Sequence, residues 1–247
     1  MKHHRSTERS YRLAAQPQKS EQSFQIVVEE TDLWITAQHN LSNEVHALVH
    51  QWRGMIKNAI ALYPGFGPSL SPITVPHSAP APIREMATAA ATWQVGPMAC
   101  VAGAIANGVA EGCQPLSQNV LVENGGDLYL CSTRERTIGL LAQPEQGIRL
   151  GLRLEASEFP CALCASSGRI GHSLSLGCGD LVVVRAQRGA FADAGATALA
   201  NLLHKRQDVQ RVLDQAQAMH PHGLEGVFAQ YDDQIGIWGR MELVEVG

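Results

Sequence analysis

The hydrophobic period of this chain switches between two and three-to-four along its length, and the order of the switches leaves few folds open. Phe24 to Glu30 and Leu33 to Ala37 are rich in β-branched and aromatic residues, and Thr31-Asp32 between them reads as the turn of a hairpin. Val45, Leu48, Val49, Trp52, Ile56 and Ile60 then recur at three and four, so a helix is expected from Asn43 to Tyr63-Pro64-Gly65, with Ser42 accepting its first free amide hydrogens. Residues 64–82 hold six of the twelve prolines, too many for a hydrogen-bonded element, so they form an extended loop whose length makes it a candidate lid. Ile83 to Trp93 and Pro97 to Cys113 read as helices, and Gly103 and Gly108 in the second suggest close approach of a backbone or a ligand.

Beyond Pro115 the period falls to two. Strands are expected at Asn119–Glu123, Leu128–Cys131, Thr137–Ala142, Ile148–Leu154, Cys161–Ala165 and Leu181–Ala186. Helices follow at Asp193–His204 and Asp208–Met219, and the strands Gly226–Tyr231 and Ile235–Val246, joined at Asp232-Asp233, close the chain. Hairpins punctuated by helix pairs describe an α+β fold with a largely antiparallel sheet. Residues 1–20 are read as a tail or arm and 21–247 as a single domain.

Nineteen basic against 23 acidic residues give a net charge of −4, which removes the electrostatic drive toward nucleic acid or an anionic membrane. The basic N-terminus is followed by polar residues, without the apolar core of a signal peptide. The greasiest stretch, Met86 to Val109, is broken by Gln94, Gly96 and Pro97. A soluble cytoplasmic protein is expected. Cys161-Ala162-Leu163-Cys164 has the spacing of a metal or redox pair, yet no second pair completes four ligands, so two buried strand cysteines are the expectation.

Three segments carry groups that suit chemistry. Asn124-Gly125-Gly126-Asp127 lies between two strands, where it serves either as an ordinary two-residue turn or as a place where a ligand meets the main chain. Ser166-Ser167-Gly168-Arg169, followed by His172, collects hydroxyls, free amides and a guanidinium fork that suit phosphate, as a polar surface loop also would. Asp193 and Thr197 stand four apart at a helix start, so Asp193 is either a helix cap or, with Thr197, a Mg²⁺ and phosphate site.

Taken in order, these segments resemble the ApbE-like superfamily, whose best-known members are magnesium-dependent flavin transferases. The matching residues are Gly125-Gly126-Asp127, Ser166-Ser167-Gly168 and Ala192-Asp193-Ala194-Gly195-Ala196-Thr197-Ala198, while Ile105-Ala106-Asn107-Gly108-Val109-Ala110 resembles the family's Ile-Ala-Lys-Gly-x-Ala. Val95-Gly96-Pro97-Met98-Ala99 and Gly171-His172-Ser173 bring the chain closer still to an uncharacterised cytoplasmic branch. The resemblance implies a duplicated two-layer α/β architecture, the T-fold. It implies Mg²⁺ held by Asp193, Thr197 and the Ala106 carbonyl, and FAD or FMN bound by residues 124–127 and 166–169. His172 would assist proton transfer, and an acceptor protein or water would receive the flavin phosphate. The family's lysine is Asn107 here, and its His-x-x-Asp-Pro motif has no counterpart. A non-catalytic nucleotide-binding module and an oligomeric structural protein stay open as alternatives.

Overall fold

The computed structural model describes residues 17–140, 150–168 and 177–246. An eight-stranded antiparallel sheet forms the centre, with strands β1 (Gln22–Val28), β2 (Thr31–Ala37), β3 (Val120–Asn124), β4 (Asp127–Cys131), β7 (Cys161–Ser166), β8 (Leu181–Ala186), β9 (Leu224–Tyr231) and β10 (Gln234–Gly239) side by side in chain order. Helices α1 (Ser42–Leu62), α2 (Ala81–Trp93) and α3 (Val101–Cys113) join β2 to β3, and α4 (Gly189–Ala200) and α5 (Asp208–Met219) join β8 to β9. The connection strand–strand–helices–strand–strand therefore runs twice.

All five helices contribute buried side chains to one core, with Leu33, Ile35, Val120, Val122, Ala162, Val184 and Val227 from the sheet. The opposite sheet face carries Leu121, Leu130, Leu163, Val183 and Phe228, which pack with residues of a second, three-stranded sheet ordered β11 (Glu242–Glu245), β6 (Leu150–Leu154) and β5 (Arg136–Gly139). The fold is α+β, as the period pattern implies. Strand alternation explains how adjacent residues can supply two cores.

Several boundaries differ from the sequence expectation. The first hairpin turns at Glu29-Glu30, because Thr31 already pairs with Val28 and its hydroxyl accepts from Arg53 Nη1 at 2.7 Å. Arg53 also pairs with the Glu29 and Glu30 carboxylates, so one α1 side chain gathers the turn. Ser42 does not cap α1; the Asn40 Oδ1 atom accepts the Ser42 N–H at 3.0 Å. The closing strand splits at Gly239, which has φ +76° and leaves no room for a Cβ, 2.2 Å from the Glu225 carbonyl. Its two halves, β10 and β11, join different sheets.

The proline-rich loop is anchored. Phe66 is fully buried, and the Ser69 carbonyl lies where a Cβ on Gly96 would stand, at 1.8 Å. Among the described residues, no single helix is long and apolar enough to cross a membrane; α2 and the segment Pro97–Cys113 reach that length only together and are bent by 107°.

Candidate functional site

The turn between β3 and β4 is tight. Asn124 pairs directly with Asp127, leaving Gly125 and Gly126 as the loop, with φ of +70° and +111°, a region that glycine enters without a Cβ penalty. The Glu123 Oε1 atom accepts the Gly126 N–H at 2.7 Å. Among the described residues, no atom beyond its chain neighbours lies within 4 Å of where a Gly125 Cβ would project.

Alternation turns Asn124, Asp127 and Ser166 toward the helices, on the face of Val122, Tyr129 and Cys164. Asn124 Nδ2 donates to the Ala102 carbonyl at 3.1 Å, tying the turn to α3, and Asp127 Oδ1 accepts the Ala165 N–H at 3.1 Å, tying it to β7.

Helices α3 and α4 cross at two glycines. A Cβ on Gly103 would stand 2.4 Å from the Gly189 carbonyl, and one on Gly189 would stand 2.1 Å from the Gly103 carbonyl. At this crossing Asp193 Oδ2 accepts the Gly103 N–H at 2.9 Å, and Asn107 Oδ1 accepts the Gly189 N–H at 3.0 Å. Helix α4 begins four residues before the expected start, because Asn107 supplies a partner for its first amide from outside. Asp193 is therefore not the N-cap of its own helix; it sits in the second turn and meets the first turn of α3.

These bonds bring two carboxyl groups together in the interior. Asp127 and Asp193 are 5% and 9% exposed. Burial pushes the Asp193 carboxyl up to about 7, against the pull of the Gly103 and Ala102 amides. Burial raises Asp127 well above the usual carboxylate range, and the charge of Asp193 raises it further, against the Ala165 amide and the Cys164 thiol. A like-charged buried pair of this kind holds a proton or attracts a cation.

Thr197 stands one turn beyond Asp193 on α4 and is half-buried. Ser166 is buried at the end of β7, and Gly168 closes the segment after it, its N–H donating to the Gly179 carbonyl at 3.0 Å. Arg169 and His172 lie outside the described residues. Ala106 is fully buried inside α3, on the same helix as Gly103 and Asn107.

The spacing of Cys161 and Cys164 puts them on opposite sheet faces, one in each core, so the pair cannot share a metal. Cys164 nevertheless faces the site, and its alternation with Ser166 was the available signal. Among the described residues no group of three or more His, Cys, Asp or Glu forms a ligand cluster. A surface groove of about 360 Å³ between α5 and β10, lined by residues such as Arg206, Leu213 and Gln234, includes none of the site residues.

A family model described as AbpE bacteria matches residues 14–235. The UPF0280 protein of Methanopyrus kandleri is 35% identical over 225 residues, covering 88% of this chain and 90% of that protein. Its counterpart in Methanocaldococcus jannaschii is 32% identical over 228 residues, covering 89% and 92%. Among solved structures, the flavin transferase ApbE from Vibrio cholerae superposes with a TM-score of 0.54 at 14% identity, over 88% of this chain and 96% of that one. The ApbE protein from Thermotoga maritima gives 0.55 at 12% identity, over 89% and 96%. At such identities the likeness speaks for the fold.

Proposed function

The chain belongs to the AbpE bacteria family, and on that premise we propose that the sheet end around Asp127 and Asp193 binds a flavin nucleotide together with Mg²⁺. The observation that carries the reading is the buried carboxyl pair itself, two hard oxygen donors whose shared burial and like charge favour a cation between them. The donor set fits Mg²⁺, which takes few protein oxygens and completes its shell with water and phosphate. Asp127 and Asp193 would hold it, with Thr197 one turn further along α4. When bound, it would neutralise charge on a pyrophosphate.

The chain's own residues supply the rest. Gly125 and Gly126 let a ligand approach the main chain. Ser166 and Ser167 offer hydroxyls to phosphate, with Gly168 closing their segment, Arg169 offers a charged fork, and His172 a carrier for the proton of an attacking hydroxyl. In the reaction, a hydroxyl oxygen of an acceptor protein or of water bonds to the FMN phosphorus. The bond to the bridging oxygen breaks, AMP departs, and the hydroxyl proton passes to His172. We place the protein in the cytoplasm as a single domain above residue 20, with the repeated connectivity as the mark of an internal duplication.

A second reading is a pocket that binds without turnover. Asn107 favours it, because the residue standing where the resembling family has lysine is committed to capping α4.

Flavin fluorescence titrated with and without Mg²⁺, on the wild-type chain and on Asp193→Asn, tests both. Mg²⁺-dependent binding lost in the variant supports the site, and unchanged binding sinks it. Release of AMP from FAD separates transfer from binding alone.

A further inference from the structure

Resting on that metal reading, we infer that Asn107 and Cys164 are positioning residues that fix the two carboxylates relative to each other by gripping one residue, Gly189, by its N–H and by its carbonyl. Neither residue carries a role in the proposed chemistry, and both are almost entirely buried, Asn107 at 2% exposure and Cys164 at 0%.

The geometry supplies the link. The Gly189 N–H donates to Asn107 Oδ1 at 3.0 Å, and the Gly189 carbonyl faces Cys164 Sγ at 3.7 Å. The peptide that follows Cys164 reaches the other carboxylate, the Ala165 N–H donating to Asp127 Oδ1 at 3.1 Å. Gly189 is the first residue of α4, and one turn later that helix presents Asp193. The path from Asp127 on β4 to Asp193 on α4 thus runs through the Ala165 amide, the neighbouring Cys164 thiol and Gly189, with Asn107 closing it from α3. No side chain fits at Gly189. Its absent Cβ would already stand 2.9 Å from Asn107 Cβ and 2.1 Å from the Gly103 carbonyl.

Asn107 Nδ2 has no partner among the described residues, so the side chain stays buried for the sake of its single acceptor bond. Leaving a buried amide donor unpaired is costly, and it persists here opposite the peptide that starts the metal-bearing helix. A cysteine in this place does what an apolar side chain of its size cannot: its single S–H donates to the Gly189 carbonyl and so ties β7 to the start of α4.

The test uses Mn²⁺ as the probe for the Mg²⁺ site, followed by loss of the free-ion resonance in electron paramagnetic spectra. The full chain is compared with Cys164→Val, Cys164→Ser, Asn107→Leu and the Val–Leu double variant, with a melting curve for each. Cys164→Val and Asn107→Leu are each expected to bind Mn²⁺ about tenfold more weakly, while Cys164→Ser keeps the donor and binds within about twofold of wild type. Because both side chains act on one residue, the double variant should lose little beyond the worse single one rather than about a hundredfold.

Wild-type affinity in Cys164→Val, failure of serine to restore it, or a double loss equal to the product of the singles overturns the inference. Should Cys164→Val not fold, Cys164→Ala makes the same comparison with serine. A wild-type chain that binds no Mn²⁺ overturns the metal reading and this inference with it, an outcome distinct from binding that ignores Cys164 and Asn107.

Discussion

Asn107 caps the helix that carries Asp193, and Asp193 caps the helix that carries Asn107. The Asn107 carboxamide accepts the first N–H of α4 and the Asp193 carboxylate accepts an N–H in the first turn of α3, so each helix end finds its partner on the other. The exchange works because Gly103 and Gly189 let the two backbones approach closely.

Gly103→Ala should therefore be disruptive. Its methyl would stand 2.4 Å from the Gly189 carbonyl, a backbone atom that cannot swing aside. A loss of about 3 kcal/mol is expected, lowering the melting temperature by roughly 6–12 °C in a chain of this size. Gly112→Ala in the same helix meets only the Leu48 side chain, at 2.7 Å, which can rotate away. With alanine's better helix propensity, that variant should melt within a few degrees of wild type.

The carboxyl pair predicts how stability depends on pH. Asp127 and Asp193 hold their protons more tightly folded than unfolded, because burial and mutual repulsion penalise their charged forms. The Asp193 contribution is complete below about pH 4 and is lost as pH rises through about 7, at about 1.4 kcal/mol per pH unit, and that of Asp127 is lost in the same direction as pH rises. Denaturant midpoints measured in EDTA from pH 5 to 8 should fall with pH. Asp193→Asn should flatten the slope, and Mg²⁺ should raise the midpoint more at pH 8 than at pH 5. A midpoint that rises with pH in EDTA would contradict the pairing.

Glu21 and Arg136 make the opposite case. Their side chains are 1% and 3% exposed, Arg136 Nη1 donates to Glu21 Oε2 at 2.8 Å, and Arg136 Nε donates to Ser132 Oγ at 2.8 Å. Burial works against the Glu21 charge, but the Arg136 guanidinium and the Gln18 amide hold its carboxyl below the usual range. That stability is present above pH 4 to 5 and is lost as pH falls further. Arg136→Met would strand a buried carboxylate, costing about 3–5 kcal/mol in urea unfolding at pH 7. Glu21→Gln with Arg136→Met should recover part of it.

Thiol reactivity checks the placement of the cysteines. Cys178 is exposed, whereas Cys100, Cys113, Cys131, Cys161 and Cys164 are buried. Burial raises the thiols of Cys161 to about 12 and of Cys113 and Cys131 to about 11. Under native conditions a disulfide reagent should find one fast thiol, absent in Cys178→Ser, with the other five reacting only as the chain unfolds. Two fast thiols in wild type would show that a core cysteine is more accessible than the packing allows.

How much of this was written in the sequence differs from element to element. The period-two runs after Pro115 and the period of α1 were legible because side-chain alternation and helical spacing are local properties, and they gave the α+β class directly. So were Asp127 and Asp193 as chemically marked residues, through the short segments around them. Their relation was not legible. That Asp193 serves α3 instead of its own helix depends on a glycine contact between segments 86 residues apart, Gly103 and Gly189. The start of α4 at Gly189 depends on an asparagine on another helix, so local capping rules place it too late. Cys161 and Cys164 look like a pair in the sequence and are separated by the sheet that contains them. Local spacing determined which residues are polar, small or apolar and in what repeat. Only the packing of α3 on α4 and of both on the sheet decided which of them meet, because burial and like-charge repulsion arise from neighbours that the chain brings together last.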